Sequence, residues 1–196
     1  MRWQSLIIEL GRVAPDFQLP DTKGRTTSLQ EVRGTHGTLV TFICNHCPFV
    51  LHIIDELVVF AAEYAPKGIG AVAISSNDVG EHPEDGPQHM AHFAEQHALG
   101  FPYLYDATQA VAKAFGAACT PDLFLYDAQD RLYYRGQFDA SRPSTPHSHG
   151  IQVPVHGGDL RQAADRLLAA LTPPQDQKPS MGCSMKWKPG NEPQWA

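Results

Sequence analysis

Cys44-Asn45-His46-Cys47 is a pair of thiols two residues apart, followed at once by Pro48. It is the segment of this chain best equipped for chemistry. Thr38-Leu39-Val40-Thr41-Phe42-Ile43 before it is rich in β-branched and aromatic residues and predicts a buried strand. Leu51, Ile54, Leu57, Val58 and Ala61 after it recur at helical spacing and predict a long helix from about Pro48 to Tyr64. A CxxC at this junction lies at the first turn of a helix, where unpaired N–H groups and the positive dipole end favour a thiolate. A lowered thiol pKa speeds attack on a disulfide near neutral pH, and the second thiol can resolve the mixed disulfide. A protonated His46 would add to that stabilisation.

Two plainer readings compete: a pair of small apolar core cysteines, or half a zinc site. Zinc usually needs a second ligand pair. His147, His149 and His156 sit in a polar segment without recognisable ligand spacing, and His52, His82, His89, His92 and His97 read as helix or loop surface. A metallochaperone or metal sensor using Cys44, Cys47 and a histidine is the alternative from another class, since thiolates suit copper(I) and zinc.

The positioning elements fit one domain. At 196 residues the chain can bury a sizeable core, and 42% hydrophobic with 18% charged residues is ordinary for a globular protein. A net charge of -6 argues against nucleic acid or an anionic membrane surface as partner. The N-terminal apolar run is broken by Glu9, and no stretch approaches the roughly 18 apolar residues of a membrane span. A cytoplasmic location is therefore expected, where four cysteines read as redox, catalytic or metal-binding.

Gly11 to Pro20 reads as an edge strand, Asp21 to Gly24 as a turn, and Ser28 as the cap of a short helical turn holding Leu29 and Val32. Ile69 to Ile74 is a further strand. Helices are predicted from about Gln88 to His97 and from Thr108 to Phe115, with a short strand at Phe101 to Leu104 between them. Leu123 to Tyr126 and Leu132 to Arg135 flank a turn as a hairpin. A polar loop or insertion spans Asp139 to Gly158, and a last amphipathic helix spans Leu160 to Leu171. Residues 1–171 make the domain, and 172–196, rich in Pro, Gly, Gln and Lys, an extended tail. Strands alternating with helices and closing in a hairpin imply an α/β fold, a mixed sheet with helices on both faces.

Cys119-Thr120-Pro121-Asp122 stands just before the hairpin. Together with the CxxC it resembles the thioredoxin superfamily, whose members carry a cis-proline after a small or β-branched residue, facing the CxxC. The resemblance implies a cis Thr120-Pro121 bond, with the Thr120 backbone free to pair with an extended substrate. It makes Thr120, Pro121, Asn45, His46 and Pro48 the expected substrate-binding residues. Further segments are similar to the peroxiredoxin-like (redoxin, AhpC/TSA-like) branch. They include Ala14-Pro15-Asp16-Phe17, Ser75-Ser76-Asn77-Asp78, Pro83-Glu84-Asp85, Tyr134 to Asp139 and Gly182 to Asn191. Nearly the whole chain is covered, and a thioredoxin fold with an N-terminal strand extension is implied.

Within that branch a peroxidase would carry Thr or Ser three positions before the peroxidatic cysteine, where this chain has Cys44. It would also carry an Arg where ungapped matching puts Pro121. Both departures favour disulfide exchange over peroxide reduction. Cys44 is expected to attack a protein or small-molecule disulfide and Cys47 to resolve, with an unidentified cellular dithiol as reductant and no metal or cofactor required. In the peroxidase alternative Cys47 is oxidised to a sulfenic acid, and Cys44, Cys119 or Cys183 condenses with it. Cys119 should lie near the CxxC, as a redox thiol or as a small packed residue. Cys183 either docks near the site with the tail, anchored by Trp187, or is incidental.

Overall fold

The structure, a computed structural model, describes residues 2–5, 9–144 and 150–195. In chain order its elements are β1 (Arg2–Gln4), β2 (Gln18–Pro20), β3 (Thr26–Ser28), α1 (Leu29–Val32), β4 (Gly37–Phe42), α2 (Pro48–Tyr64) and β5 (Ile69–Ser75). There follow α3 (Pro87–Gln96), β6 (Tyr103–Tyr105), α4 (Ala110–Phe115), β7 (Cys119–Thr120), β8 (Asp122–Asp127), β9 (Leu132–Gly136), α5 (Gly158–Leu168) and β10 (Met181–Ser184).

Five strands form the central sheet in the order β6-β5-β4-β8-β9. β4 runs parallel to β5 and antiparallel to β8, so the sheet is mixed. β4 is central and buried along its whole length. Its side chains alternate as a strand's must. Leu39 faces the layer built by α2 and α5, and Val40 and Phe42 face the layer built by α1 and α4. On the second face Phe42, Phe115 and Phe124 meet edge-on, with centroids 5.5 to 5.8 Å apart. That tilted geometry suits the ring quadrupoles. The layering anchors both ends of the strand-to-helix junction.

α2 begins at Pro48, whose missing N–H would have been an orphan of the first turn anyway. It buries Phe49, Val50, Ile53, Ile54, Leu57, Phe60, Ala61 and Tyr64. Leu51, counted among the core positions by its spacing, is 47% exposed, because Phe49 and Ile53 set the buried stripe. Ser28 caps α1 with a full capping box to Glu31. The predicted edge strand contracts to β2, while Gly11 to Ala14 run beside the hairpin through bonds such as Leu132 N–H to the Arg12 carbonyl, 2.8 Å. α5 stops at Leu168, three residues early, since Ala170 takes a positive φ and turns Leu171 out to solvent.

The polar segment after Asp139 is organised by that residue, whose carboxylate accepts from the N–H groups of Ser141, His156 and Gly157 at 2.8 Å. His147 and His149 lie outside the described residues. The tail does not trail away. β10 lies between β1 and β7, antiparallel to both, in a second small sheet. No helix among the described residues is long and apolar enough to cross a membrane.

Candidate active site

β4 ends at Phe42 and α2 starts at Pro48, which sets Cys44 to Cys47 in the connection with Cys47 as helix N-cap. Thr120-Pro121 is a cis peptide bond, and Thr120 meets both thiols. Its hydroxyl is 3.4 Å from Cys44 Sγ, and its carbonyl 3.1 Å from Cys47 Sγ. β10 closes the other side. Cys183 pairs with Thr120 across the strands, and its Sγ is 2.9 Å from Cys47 Sγ. That spacing leaves the sulfurs unbonded, since a disulfide spans about 2.05 Å, and all four cysteines are free. Cys44 and Cys47 are both 0% exposed, and Cys183 is half-buried.

Of the three neighbouring thiols, Cys47 is the one whose pKa is lowered. Burial pushes the Cys47 thiol up. The neighbouring Cys183 and Cys44 thiols, the Thr120 side chain and the Val50 N–H outweigh burial and bring it well below the ordinary thiol value. The Thr120 carbonyl 3.1 Å away opposes the charge, because it offers a lone pair where a thiolate needs a donor. Cys44 is held well above its usual value, first by its hydrogen bond to Cys47, then by burial and the Asp85 charge. Cys183 is likewise raised, first by its bond to Cys47.

A layer behind the thiols was not legible as a site in the sequence. Asp85, 0% exposed, accepts from the Asn45 N–H and from Asn77 Nδ2, both at 2.8 Å, and its Oδ2 is 2.9 Å from His46 Nδ1. That contact raises His46 above the ordinary imidazole value against the effect of its burial. Burial pushes the Asp85 carboxyl up, but His46 and Asn77 more than compensate, so it lies below the usual carboxylate range. Tyr103 donates from its hydroxyl to Asn45 Oδ1 at 3.0 Å, and Asn45 Nδ2 donates to the Glu84 carbonyl at 2.8 Å. His82, read as surface, stacks on His46 with ring centroids 5.1 Å apart. A hint of this layer lay in Asn77 and in Pro83-Glu84-Asp85, which belong to the redoxin-like segments.

The remaining site residues are placed as follows. Asn45 and His46 are half-buried and Pro48 is exposed. Cys119 is fully buried, with Sγ 3.5 Å from the Pro121 carbonyl and its thiol raised chiefly by burial. Trp187 is partly buried and packs against the core face that holds Phe42. Donor atoms of Cys44, His46 and Asp85, and of His46, His82 and Glu84, lie within 4.8 Å of one another. Either trio could ligate a metal, though His46 is common to both and already engages Asp85. His156 is exposed and belongs to neither. Arg135, beyond the cis-proline, is committed elsewhere: it donates to Asp122 Oδ2 and to the Gly116 carbonyl, each at 2.8 Å. Burial raises the Asp122 carboxyl despite that partner.

The profile of the AhpC/TSA family matches residues 10–135. The thiol-disulfide oxidoreductase ResA of Geobacillus thermodenitrificans (strain NG80-2) is 30% identical over 129 residues, 64% of this chain and 67% of the relative. The crystal structure of an uncharacterized conserved protein from Geobacillus kaustophilus is 46% identical, covers 96% of this chain and 97% of its own, and superposes with a TM-score of 0.89. A thiol:disulfide interchange protein of the thioredoxin family from Chlorobium tepidum TLS shares the fold at 19% identity, with a TM-score of 0.59 over 83% of this chain and 99% of its own.

Proposed function

This chain belongs to the AhpC/TSA family and is a thioredoxin-fold oxidoreductase, and we propose that it exchanges dithiol for disulfide through Cys44 and Cys47. The observation that carries the reading is the double contact of Thr120, ahead of the cis-proline, with both sulfurs of the CxxC. One residue thereby aligns the thiol pair with a backbone edge.

In the resting site the charge rests on Cys47 and the proton on Cys44. Cys44 passes that proton to Cys47 and attacks one sulfur of a substrate disulfide, expelling the other as a thiolate. Cys47 gives the proton up again, attacks Cys44 Sγ and releases the reduced product. The substrate gains two electrons and the one proton of the pair, its second thiolate takes a proton from solvent, and the protein retains a Cys44–Cys47 disulfide. A cellular dithiol then reduces it by the reverse sequence. The substrate is a disulfide-bearing protein or small molecule. The test is trapping: Cys47→Ser, which cannot resolve, should accumulate a mixed disulfide on Cys44 when offered a chromogenic disulfide. An adduct that forms on Cys47 in Cys44→Ser, with none on Cys44 in Cys47→Ser, would refute the assignment.

A second reading draws support from the charge on Cys47. As a thiol peroxidase, Cys47 would attack a hydroperoxide, release water or alcohol and become a sulfenic acid. Cys44 or Cys183 would then condense with it and release water. Against it, Arg135 is held by Asp122 and the Gly116 carbonyl through Nε and Nη2, which leaves only Nη1 without a partner.

A further inference from the structure

Both thiols of the CxxC are wholly buried, although exchange requires them to meet a foreign sulfur. Over Cys47 lies β10. Its Cys183 stands opposite Thr120 and its Ser184 opposite Cys119, so it fills the edge of β7 that leads into the cis-proline. The fit is close at one residue: a Cβ built on Gly182 would lie 2.0 Å from the Thr120 carbonyl oxygen. Only glycine lets the strand approach that far. The strand is also tied down on both sides of the contact. Ser180 bonds Ser5 and the Gly136 carbonyl, and Lys186 bonds Asn77, Asp78 and Gln109. These contacts hold one half-buried sulfur, Cys183 Sγ, 2.9 Å from Cys47 Sγ.

We propose that Cys183 is the third redox thiol of this site, taking over the Cys44–Cys47 disulfide as a Cys47–Cys183 disulfide while β10 occupies the β7 edge as a resident substrate strand. The proposal rests on the exchange reading above. The step balances without an added oxidant. Cys183, deprotonated, attacks Cys47 Sγ of the Cys44–Cys47 disulfide; the Cys47–Cys183 bond forms, the Cys44–Cys47 bond breaks, and Cys44 leaves as a thiolate that takes up the proton. The oxidising equivalent thus moves from a sealed position to a half-buried one. A dithiol reductant then attacks Cys183, the half-buried sulfur of the pair, and expels Cys47 as a thiolate.

The experiment uses the full chain, fully reduced and then treated with one equivalent of 4,4′-dithiodipyridine for increasing times. Samples are quenched with acid and N-ethylmaleimide and mapped with trypsin, with tandem fragmentation to separate Cys44 from Cys47. Trypsin leaves both in peptide 34–67 and Cys183 in peptide 167–186, so the disulfide taken over is a cross-link between peptides. Wild type should show the Cys44–Cys47 loop first and then a Cys47–Cys183 cross-link as the major species. Cys183→Ser should stop at the loop. Gly182→Ala, folded by circular dichroism, should keep the loop and lose roughly tenfold in cross-link, because the added methyl group forces β10 from β7. A persistent loop with Cys183 fully alkylated in wild type, or a cross-link to Cys44 instead, would overturn the proposal and leave the exchange reading intact. A protein in which neither Cys44 nor Cys47 enters any disulfide would overturn both.

Discussion

Replacing Asp85 with Asn removes one negative charge from behind the CxxC at almost constant volume. The carboxylate receives two neutral donors, the Asn45 N–H and Asn77 Nδ2, and faces the His46 imidazole at 2.9 Å. An Asn has one acceptor oxygen in place of two, so one buried donor loses its partner, at about 1–3 kcal/mol. Breaking a buried ion pair costs roughly 3–5 kcal/mol where the orphaned charge cannot escape. His46 is 28% exposed and can shed its proton to water, so the upper end is not reached. The expected loss is about 2–4 kcal/mol near pH 6.

The loss should also depend on pH with a definite sign. His46 is raised in the folded state, so its contribution is complete below its unfolded value of about 6.5 and fades as pH rises through the folded value. Asp85 is lowered, so its contribution is present above about pH 4 and is lost as pH falls through the folded value. Urea unfolding of wild type and Asp85→Asn at pH 6 and pH 9 measures both. The mutational deficit should be largest at pH 6 and shrink at pH 9. A deficit below about 1 kcal/mol at pH 6, or one equal at the two pH values, would refute the buried pair as described.

Three further expectations are open to direct measurement. Thiolate absorbance near 240 nm in the reduced protein should persist well below neutral pH, since the Cys47 thiol is lowered, and it should vanish from the acid range in Cys47→Ser. Asp122→Ala strands the Arg135 guanidinium in the interior and should cost about 3–5 kcal/mol in urea unfolding. Ser28→Ala removes the side-chain half of the α1 capping box, the bond from the Glu31 N–H to the Ser28 hydroxyl, and should cost about 1 kcal/mol, read as roughly 2–4 °C in thermal melting.

The contrast between the front and the back of the site shows what a sequence exposes. The β4–α2 junction was legible because β-branched residues, a proline at the first helical position and an apolar helical stripe all point the same way. Leu51 was misplaced because spacing alone does not choose between overlapping stripes. Asp85 was not legible: it follows His82 and Glu84 in a polar stretch, and only the short turn at Pro83–Asp85 swings it inward beneath Asn45 and Asn77. The docking of the tail was only half legible. Trp187 offered an anchor, but the strand is held largely by polar groups, with Gln109 donating to the Lys186 carbonyl and accepting from the Lys188 N–H. Such bonds leave no periodic pattern. Gly182 lies in a segment that reads as loop until its partner, the Thr120 carbonyl, is seen.

The most direct test of the central claim compares pre-reduced wild type, Cys44→Ser and Cys47→Ser against a protein disulfide and against hydrogen peroxide in parallel. Dithiol exchange predicts rapid disulfide reduction by wild type that is lost in Cys44→Ser, with slow peroxide consumption throughout. Fast peroxide turnover that survives Cys44→Ser and disappears in Cys47→Ser would contradict it and make this protein a peroxidase.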